Sequence, residues 1–292
     1  MLRVEPPHLA GTWYERSAQG LARQTDGLLA AAVSPALAGT AAAIVVPHAA
    51  YRFSGATAAV AYRVLRDRDY RRAIILAPSH FLRYRGAAAL DVDAFATPLG
   101  ELAVDRSALE SIADEALIRD EPRAFRNEHA LEIQLPLLQR VLPTVAIVPL
   151  IVGDLGPGDC EAFGDILARL TSTRDTLLVV SSDFTHYGAH FDYLPFAPRD
   201  SKYVQAQLRA LDLGAIDRVR AGDLAGFRSY VAQTGATICG HEPLSALLAW
   251  HRQNLPAIRP GVELAYTTSL ALTGDFEHSV SYAALAFARV SV

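Results

Sequence analysis

The sequence predicts an α/β fold: one domain over residues 1–292, with a central mixed, mostly parallel sheet flanked by helices on both faces. Three observations predict it. Short apolar runs recur along the chain, each ending in a polar break followed by a helical pattern, as successive βαβ units require. The runs are apolar throughout instead of alternating, so the strands they form are expected to be covered on both faces. The Gly- and Pro-rich segments at 153–158 and 194–200 are too short to separate domains, and no internal repeat or low-complexity stretch interrupts the pattern.

Taken in order, the parallel strands are Ala41 to Val46, Ala73 to Ala77, Ala146 to Val152 and Thr176 to Val180. Helical periodicity marks Gly55 to Arg66, Arg106 to Ala116, Ala130 to Val141, Cys160 to Leu170, Lys202 to Leu211, Leu224 to Gln233 and Pro243 to Gln253. The last has the clearest start: Gly240, His241 and Glu242 precede Pro243, whose missing N–H suits a first helical turn. Between Gly86 and Asp105, the runs Ala87 to Val92 and Leu102 to Val104 flank Thr97-Pro98-Leu99-Gly100, which reads as an inserted hairpin. Glu263 to Ala271 and Ser279 to Ala288, with Thr273-Gly274-Asp275 between them, read as two closing strands with antiparallel pairing at one edge.

Composition narrows the function. The chain is 51% hydrophobic and 20% charged with a net charge of −4, which argues against a binder of nucleic-acid backbones. Lys202 is the only lysine, so the abundance of Arg reflects overall composition and lowers the information in any one Arg. Met1 to Pro7 holds two prolines and two charges before any apolar run, unlike a signal peptide, and no apolar run approaches the roughly 18–20 residues of a membrane span. Cys160 and Cys239 lie far apart and form no CxxC pair, so a soluble protein of the reducing cytoplasm is expected.

The histidines carry the chemistry. Ile44-Val45-Val46 runs into Pro47-His48, and Ile74-Ile75-Leu76 runs into Pro78-Ser79-His80. A third strand, Leu178-Val179-Val180, runs into Ser181-Ser182-Asp183-Phe184-Thr185-His186-Tyr187-Gly188. In open α/β sheets ligands bind in the crevice outside the carboxyl ends of the strands, so three polar strand ends are expected to converge on one site. Glu128, His129 and Glu132 open a helical run, with the two acids on one face; they either orient a ligand imidazole or complement the helix dipole. Cys239 precedes a helix start, where the N-terminal dipole is expected to favour its thiolate, whereas Cys160 lacks any strand-end histidine and reads as structural. Two neutral imidazoles with one thiolate suit a borderline or soft divalent metal, and a metal-free Cys–His nucleophile is the competing chemistry for the same residues.

At these motifs the chain resembles the Memo family, the AmmeMemoRadiSam system protein B group. The resemblance runs along nearly the whole chain, through Ala10-Gly11-Thr12-Trp13-Tyr14, Pro47-His48-Ala49-Ala50-Tyr51 with Ser54-Gly55, Pro78-Ser79-His80, Thr97-Pro98-Leu99-Gly100, Glu128-His129-Ala130-Leu131-Glu132, Ser181 to Gly188, Ile238-Cys239-Gly240 and Ser279-Val280-Ser281-Tyr282. It implies a fold similar to class III extradiol (LigB-like) dioxygenases, which cleave catechol rings with non-haem iron. It also implies a metal site at His48, His80 and Cys239 with Asp183 and His186 beside it. In the animal relative, the position of Trp13 is associated with a phosphotyrosine-peptide pocket, and that protein is linked to cell motility, copper or iron binding and redox signalling. Ala50 stands where the family usually has Gly, and Phe53 where an aromatic hydroxyl is common.

The leading expectation is a non-haem, dioxygenase-like oxidoreductase for a small aromatic or planar substrate. His48, His80 and Cys239 would hold iron, or else copper or zinc, with His186 as acid/base and Asp183 orienting it or a ligand imidazole. Trp13, Tyr51 and Tyr187 would wall the pocket, and Arg52 would meet an anion if the cleft instead captures a peptide or partner protein. A pathway link to AMMECR1-like and radical S-adenosylmethionine proteins follows from the resemblance alone. Nucleic acid and membrane are not expected partners.

Overall fold

The computed structural model describes residues 2–66 and 68–290. Its elements are β1 (Val4–Glu5), α1 (Ala18–Ala31), β2 (Ala41–Val46), α2 (Tyr51–Arg63), β3 (Arg72–Pro78), β4 (Ala87–Ala89), β5 (Ala94–Thr97), β6 (Gly100–Ala103), α3 (Arg106–Glu110), β7 (Ile118–Asp120), α4 (His129–Glu132), α5 (Leu135–Val141), β8 (Ala146–Val152), α6 (Pro157–Leu170), β9 (Thr176–Ser181), β10 (His186–Tyr187), α7 (Ser201–Ala221), α8 (Leu224–Thr234), α9 (His241–Gln253), β11 (Val262–Thr268), α10 (Ser269–Thr273) and β12 (Ser279–Ala288). The main sheet runs β10-β12-β2-β9-β3-β8-β4-β7, with β11 also paired to β12. Its centre, β2-β9-β3-β8, is parallel, while β12 and β4 join antiparallel on either side.

Successive side chains of a strand face opposite ways, and here both faces are buried. Ile44, Ile75 and Val179 enter one core layer with Leu21, Leu29, Tyr62 and Leu138; Val45, Ile74, Leu76 and Val180 enter the other with Phe163, Leu247 and Trp250. The first layer is roofed by α1, α2 and α5, the second by α6 and α9. The expected doubly covered, mixed sheet is therefore the observed one, with β2, β9 and β3 as adjacent parallel strands whose carboxyl ends share one rim.

Several boundaries differ from the sequence reading. The helix expected from Lys202 to Leu211 runs to Ala221, because Asp212 and Gly214, which look like breakers, face inward: Asp212 is fully buried, and a Cβ on Gly214 would stand 2.3 Å from the Tyr230 hydroxyl. The helix expected from Ala130 to Val141 is two short pieces, since Pro136 in the first turn of α5 donates no N–H back to the preceding turn. The helix expected from Arg106 to Ala116 ends at Glu110. The hairpin is β5–β6, which with β1 forms a separate three-stranded sheet, while Ala87–Ala89 pairs with β8 and β7 in the main one. The strand expected from Glu263 to Ala271 stops at Thr268, whose hydroxyl caps α10 by accepting from Ala271 N. Helix α1, with Ser17 as N-cap, was not anticipated; Gly20 and Gly27 weaken its helical pattern.

Candidate metal centre

Because β2 and β9 pair with Val46 opposite Ser181, the residues following each strand emerge side by side. His48 is buried, its backbone N–H donating to Asp183 Oδ1 at 2.8 Å and its Nδ1 standing 3.0 Å from Ser181 Oγ. His80, beyond β3, has Nδ1 at 2.8 Å from Glu128 Oε1, and its backbone N–H donates to Glu128 Oε2 at 2.9 Å. Glu128 also N-caps α4 through Ala130 N, next to Asn127 at φ 64, a left-handed turn that Asn tolerates better than most residues. That turn delivers His129 against the other two rings. The His80 and His129 rings stack at 4.5 Å, and His48 meets each edge-on at 5.3 Å.

Ligand atoms of His48, His80 and His129 all lie within 4.8 Å of one another, the group among the described residues spaced to hold a metal ion. Imidazole nitrogens about 2.0–2.1 Å from a tetrahedral zinc are roughly 3.4 Å apart, so the cluster needs to close by little more than about 1 Å. Cys239 adds its Sγ at 3.0 Å from His48 Nε2. It is held there by the close approach of Gly240 to β9: a Cβ on Gly240 would lie 2.4 Å from Ser182 Oγ and 2.8 Å from the Ser181 carbonyl. The sulfur is thus in contact with one imidazole, while His129, read from sequence as an orienting group, belongs to the imidazole cluster itself.

The electrostatics suit ligands that must be uncharged. Burial, with the neighbouring imidazoles, drives the His48 pKa well below its ordinary value, and burial lowers His129 to about 4. Burial raises Glu128, but the His80 side chain and the backbone N–H groups of His80 and Ala130 outweigh it and hold the carboxylate below its usual range. Asp183 goes the other way: burial lifts it to about 7 against the pull of the His48 and Ala49 N–H groups and the His80 charge. Burial and the Asp183 charge also push the Cys239 thiol well up, overriding the N–H groups of Asp183 and Gly240. The expectation that the helix start favours its thiolate is corrected accordingly, because desolvation exceeds the pull of those N–H groups; a coordinating cation would supply the missing stabilisation. Two imidazoles held neutral by burial, a third backed by a carboxylate, and a thiol touching one of them make a donor set that fits a borderline divalent ion.

A cleft of about 700 Å³ opens over the cluster, walled by Trp13, Arg52, Phe53, Asp183, His186, Phe191, His278 and Tyr282 among others. His186 Nδ1 lies 3.0 Å from the Phe184 carbonyl and 3.1 Å from the Thr237 carbonyl, so Nδ1 carries the proton and Nε2 is left as an acceptor. Trp13 packs on His129 at 4.6 Å. Arg52 is exposed at the rim with its guanidinium 4.7 Å over the Phe53 ring. Tyr51 and Tyr187, expected in the pocket wall, are buried beneath it instead: the Tyr51 hydroxyl donates to the Ile133 carbonyl, and the Tyr187 ring stacks on Phe196. Glu132 does not orient an imidazole; it accepts from His8 N, Leu9 N and the Tyr14 hydroxyl, anchoring the segment that carries Trp13. Cys160 is fully buried in the core beside Arg228, away from the clustered histidines.

Sequence reasoning missed Gln134, which reaches Ser181 Oγ beneath His48, and Asp212, which accepts from Thr185 N and Oγ1 and so pins the loop between Asp183 and His186. An Asp inside an amphipathic helix on its apolar face was the available signal for the second. No described helix is long and apolar enough to cross a membrane.

Comparison with known proteins agrees with the motifs. The family model described as Memo-like protein matches residues 5–286. The memo-1 homolog of Caenorhabditis elegans is 33% identical over 280 residues, covering 94% of this chain and 79% of that one. Protein MEMO1 of Xenopus laevis is 30% identical over 282 residues, 94% of each, and a MEMO1 family protein of Nitrosopumilus maritimus is 30% identical over 246 residues, 84% and 83%. With the family model spanning nearly its whole length, the chain belongs to the Memo-like protein family.

Proposed function

We propose that the chain is a non-haem metal protein with dioxygenase-like oxidoreductase activity on a small aromatic or other planar organic molecule. The observation that carries the reading is the convergence of His48, His80 and His129 at the floor of an open cleft, with Cys239 in contact with His48. Iron is the favoured ion, with copper or zinc as alternatives; bound there, it would supply Lewis acidity and, if redox-active, a site for dioxygen.

The chain's own residues do the rest. His186, kept neutral by burial, directs Nε2 away from its two carbonyl partners and is suited to take a proton from a substrate hydroxyl. Asp183 holds the backbone of His48, and Trp13 and Phe191 offer apolar faces for a planar ring. Arg52, exposed at the rim, favours a second reading in which the cleft captures an anionic peptide or partner protein. A metal-free Cys239 nucleophile is disfavoured by the raised thiol.

Oxygen uptake by anaerobically reconstituted iron protein, with a panel of catechols and indoles, tests the proposal. Turnover with at least one member, reduced roughly 100-fold or more in His186→Ala, is expected. Stoichiometric iron binding with no uptake across the panel would overturn the enzymatic reading, and tight binding of a phosphotyrosine peptide lost in Arg52→Ala would favour the second.

A further inference from the structure

A neutral imidazole carries its proton on one ring nitrogen, and the other is the one able to bind a cation. For His48 that choice can be read from the groups around it. Ser181 Oγ, next to Nδ1, has one proton and stands 2.6 Å from the Ala130 carbonyl, which can only accept, so the hydroxyl proton is committed there. Gln134 Nε2 donates to the same Oγ at 2.9 Å and to the Pro47 carbonyl at 3.1 Å. The orientation of the Gln134 amide is fixed in turn, since the Pro47 carbonyl can only accept and so requires the NH2 on its side, which leaves Oε1 to accept from the Tyr62 hydroxyl at 3.0 Å. Of the two lone pairs on Ser181 Oγ, one is taken by Gln134 and the other faces His48 Nδ1. Tyr62, Gln134, Ser181 and Ala130 are all buried, so solvent does not stand in for any of them.

We infer that Gln134 and Ser181 are positioning residues that lock His48 as the Nδ1–H tautomer and aim its bare Nε2 at the point shared with Cys239. The inference deepens the metal reading and takes its functional meaning from it, but its geometry stands without an ion. The same relay ties His48 to the segment of His129, because the Ser181 proton is held by Ala130, the next residue along. It also places the thiol proton. Asp183 N already donates to Cys239 Sγ, so the S–H has only His48 Nε2 at 3.0 Å or the Asp183 carbonyl at 3.5 Å as acceptors. Once that proton has left to solvent, His48 Nε2 and Cys239 Sγ would both be free as donors to a cation.

The test is long-range proton–nitrogen correlation spectroscopy of metal-free, histidine-labelled protein, with His48 assigned from the resonances missing in His48→Gln. The expected pattern is a protonated Nδ1 and an unprotonated Nε2. In Ser181→Ala the ring should become a mixture of tautomers, and zinc affinity should fall roughly 10–100-fold; Ser181→Thr, which keeps the oxygen, should restore the parent pattern. A parent ring protonated at Nε2, or a Ser181→Ala ring that stays wholly Nδ1–H, overturns the inference. Because the tautomer is read without metal, a parent that binds no zinc would refute the proposed function while the ring nitrogens still decide the relay.

Discussion

Acidifying the metal-free protein from pH 7 to pH 5 should cost about 2 kcal/mol of folding stability through His129 alone. Burial, with the nearby His80 charge, holds this imidazole at about 4, against an ordinary value of 6.5. Between those values the unfolded chain takes up a proton that the folded protein refuses. The stabilisation is therefore complete above pH 6.5 and is lost as pH falls, which is the sign for a group whose folded pKa is depressed. At about 1.4 kcal/mol per pH unit, the full loss is roughly 3 kcal/mol below pH 4, and about 2 of it is reached at pH 5. His48 and His186 act in the same direction, whereas Asp183, raised to about 7, becomes more stabilising as pH falls from 7 towards 4, so the total slope mixes opposing contributions. The comparison with His129→Gln isolates the one of interest. Urea denaturation in the presence of a chelator, at pH 7 and pH 5, should show the parent losing about 2 kcal/mol more than the variant. Equal losses would refute the placement of His129 as a buried, neutral ring.

Other perturbations report on the supports of the centre. Glu128→Gln keeps the shape but removes the charge behind His80 Nδ1, and should weaken metal binding roughly 10–100-fold in a competition titration with a chromophoric chelator. Gly240→Ala forces a methyl onto Ser182 and should cost about 1–3 kcal/mol, while the displaced Cys239 reacts faster with a thiol reagent. Glu132→Ala leaves two backbone N–H groups and the Tyr14 hydroxyl without their acceptor; a loss of about 3 kcal/mol is expected by urea denaturation, and Trp13 emission should shift red while buried Trp250 is unaffected.

The central parallel strands and their common rim were legible because β2, β3, β8 and β9 are uninterrupted apolar runs and because His48, His80 and Asp183 each follow such a run within a few residues, whereas their order in the sheet was not. Those features are local, and local patterns survive translation into a sheet. What was not legible depends on partners distant in sequence. Tyr51 and Tyr187 follow cleft residues along the chain, yet each side chain turns into the core, where Ile133 and Phe196 wait. Glu132 shares a helix face with Glu128, but the N-terminal segment reaches it first and claims both of its oxygens. Cys239 sits at a helix start, and only the packing around its sulfur shows that desolvation outweighs the N–H groups that favour its thiolate. Asp212 hid the second half of α7 because an acid at an apolar position of the helix reads as a break until Thr185 and Tyr266 are seen bonded to it.

The central claim is that these rings form a metal centre, and the most direct measurement is a zinc titration of the chelated protein at pH 7 followed by calorimetry. One tight site of about one equivalent per chain, proton release on binding, and loss of the site in both His48→Ala and His80→Ala are expected. Binding of the same stoichiometry and affinity in both variants would contradict it.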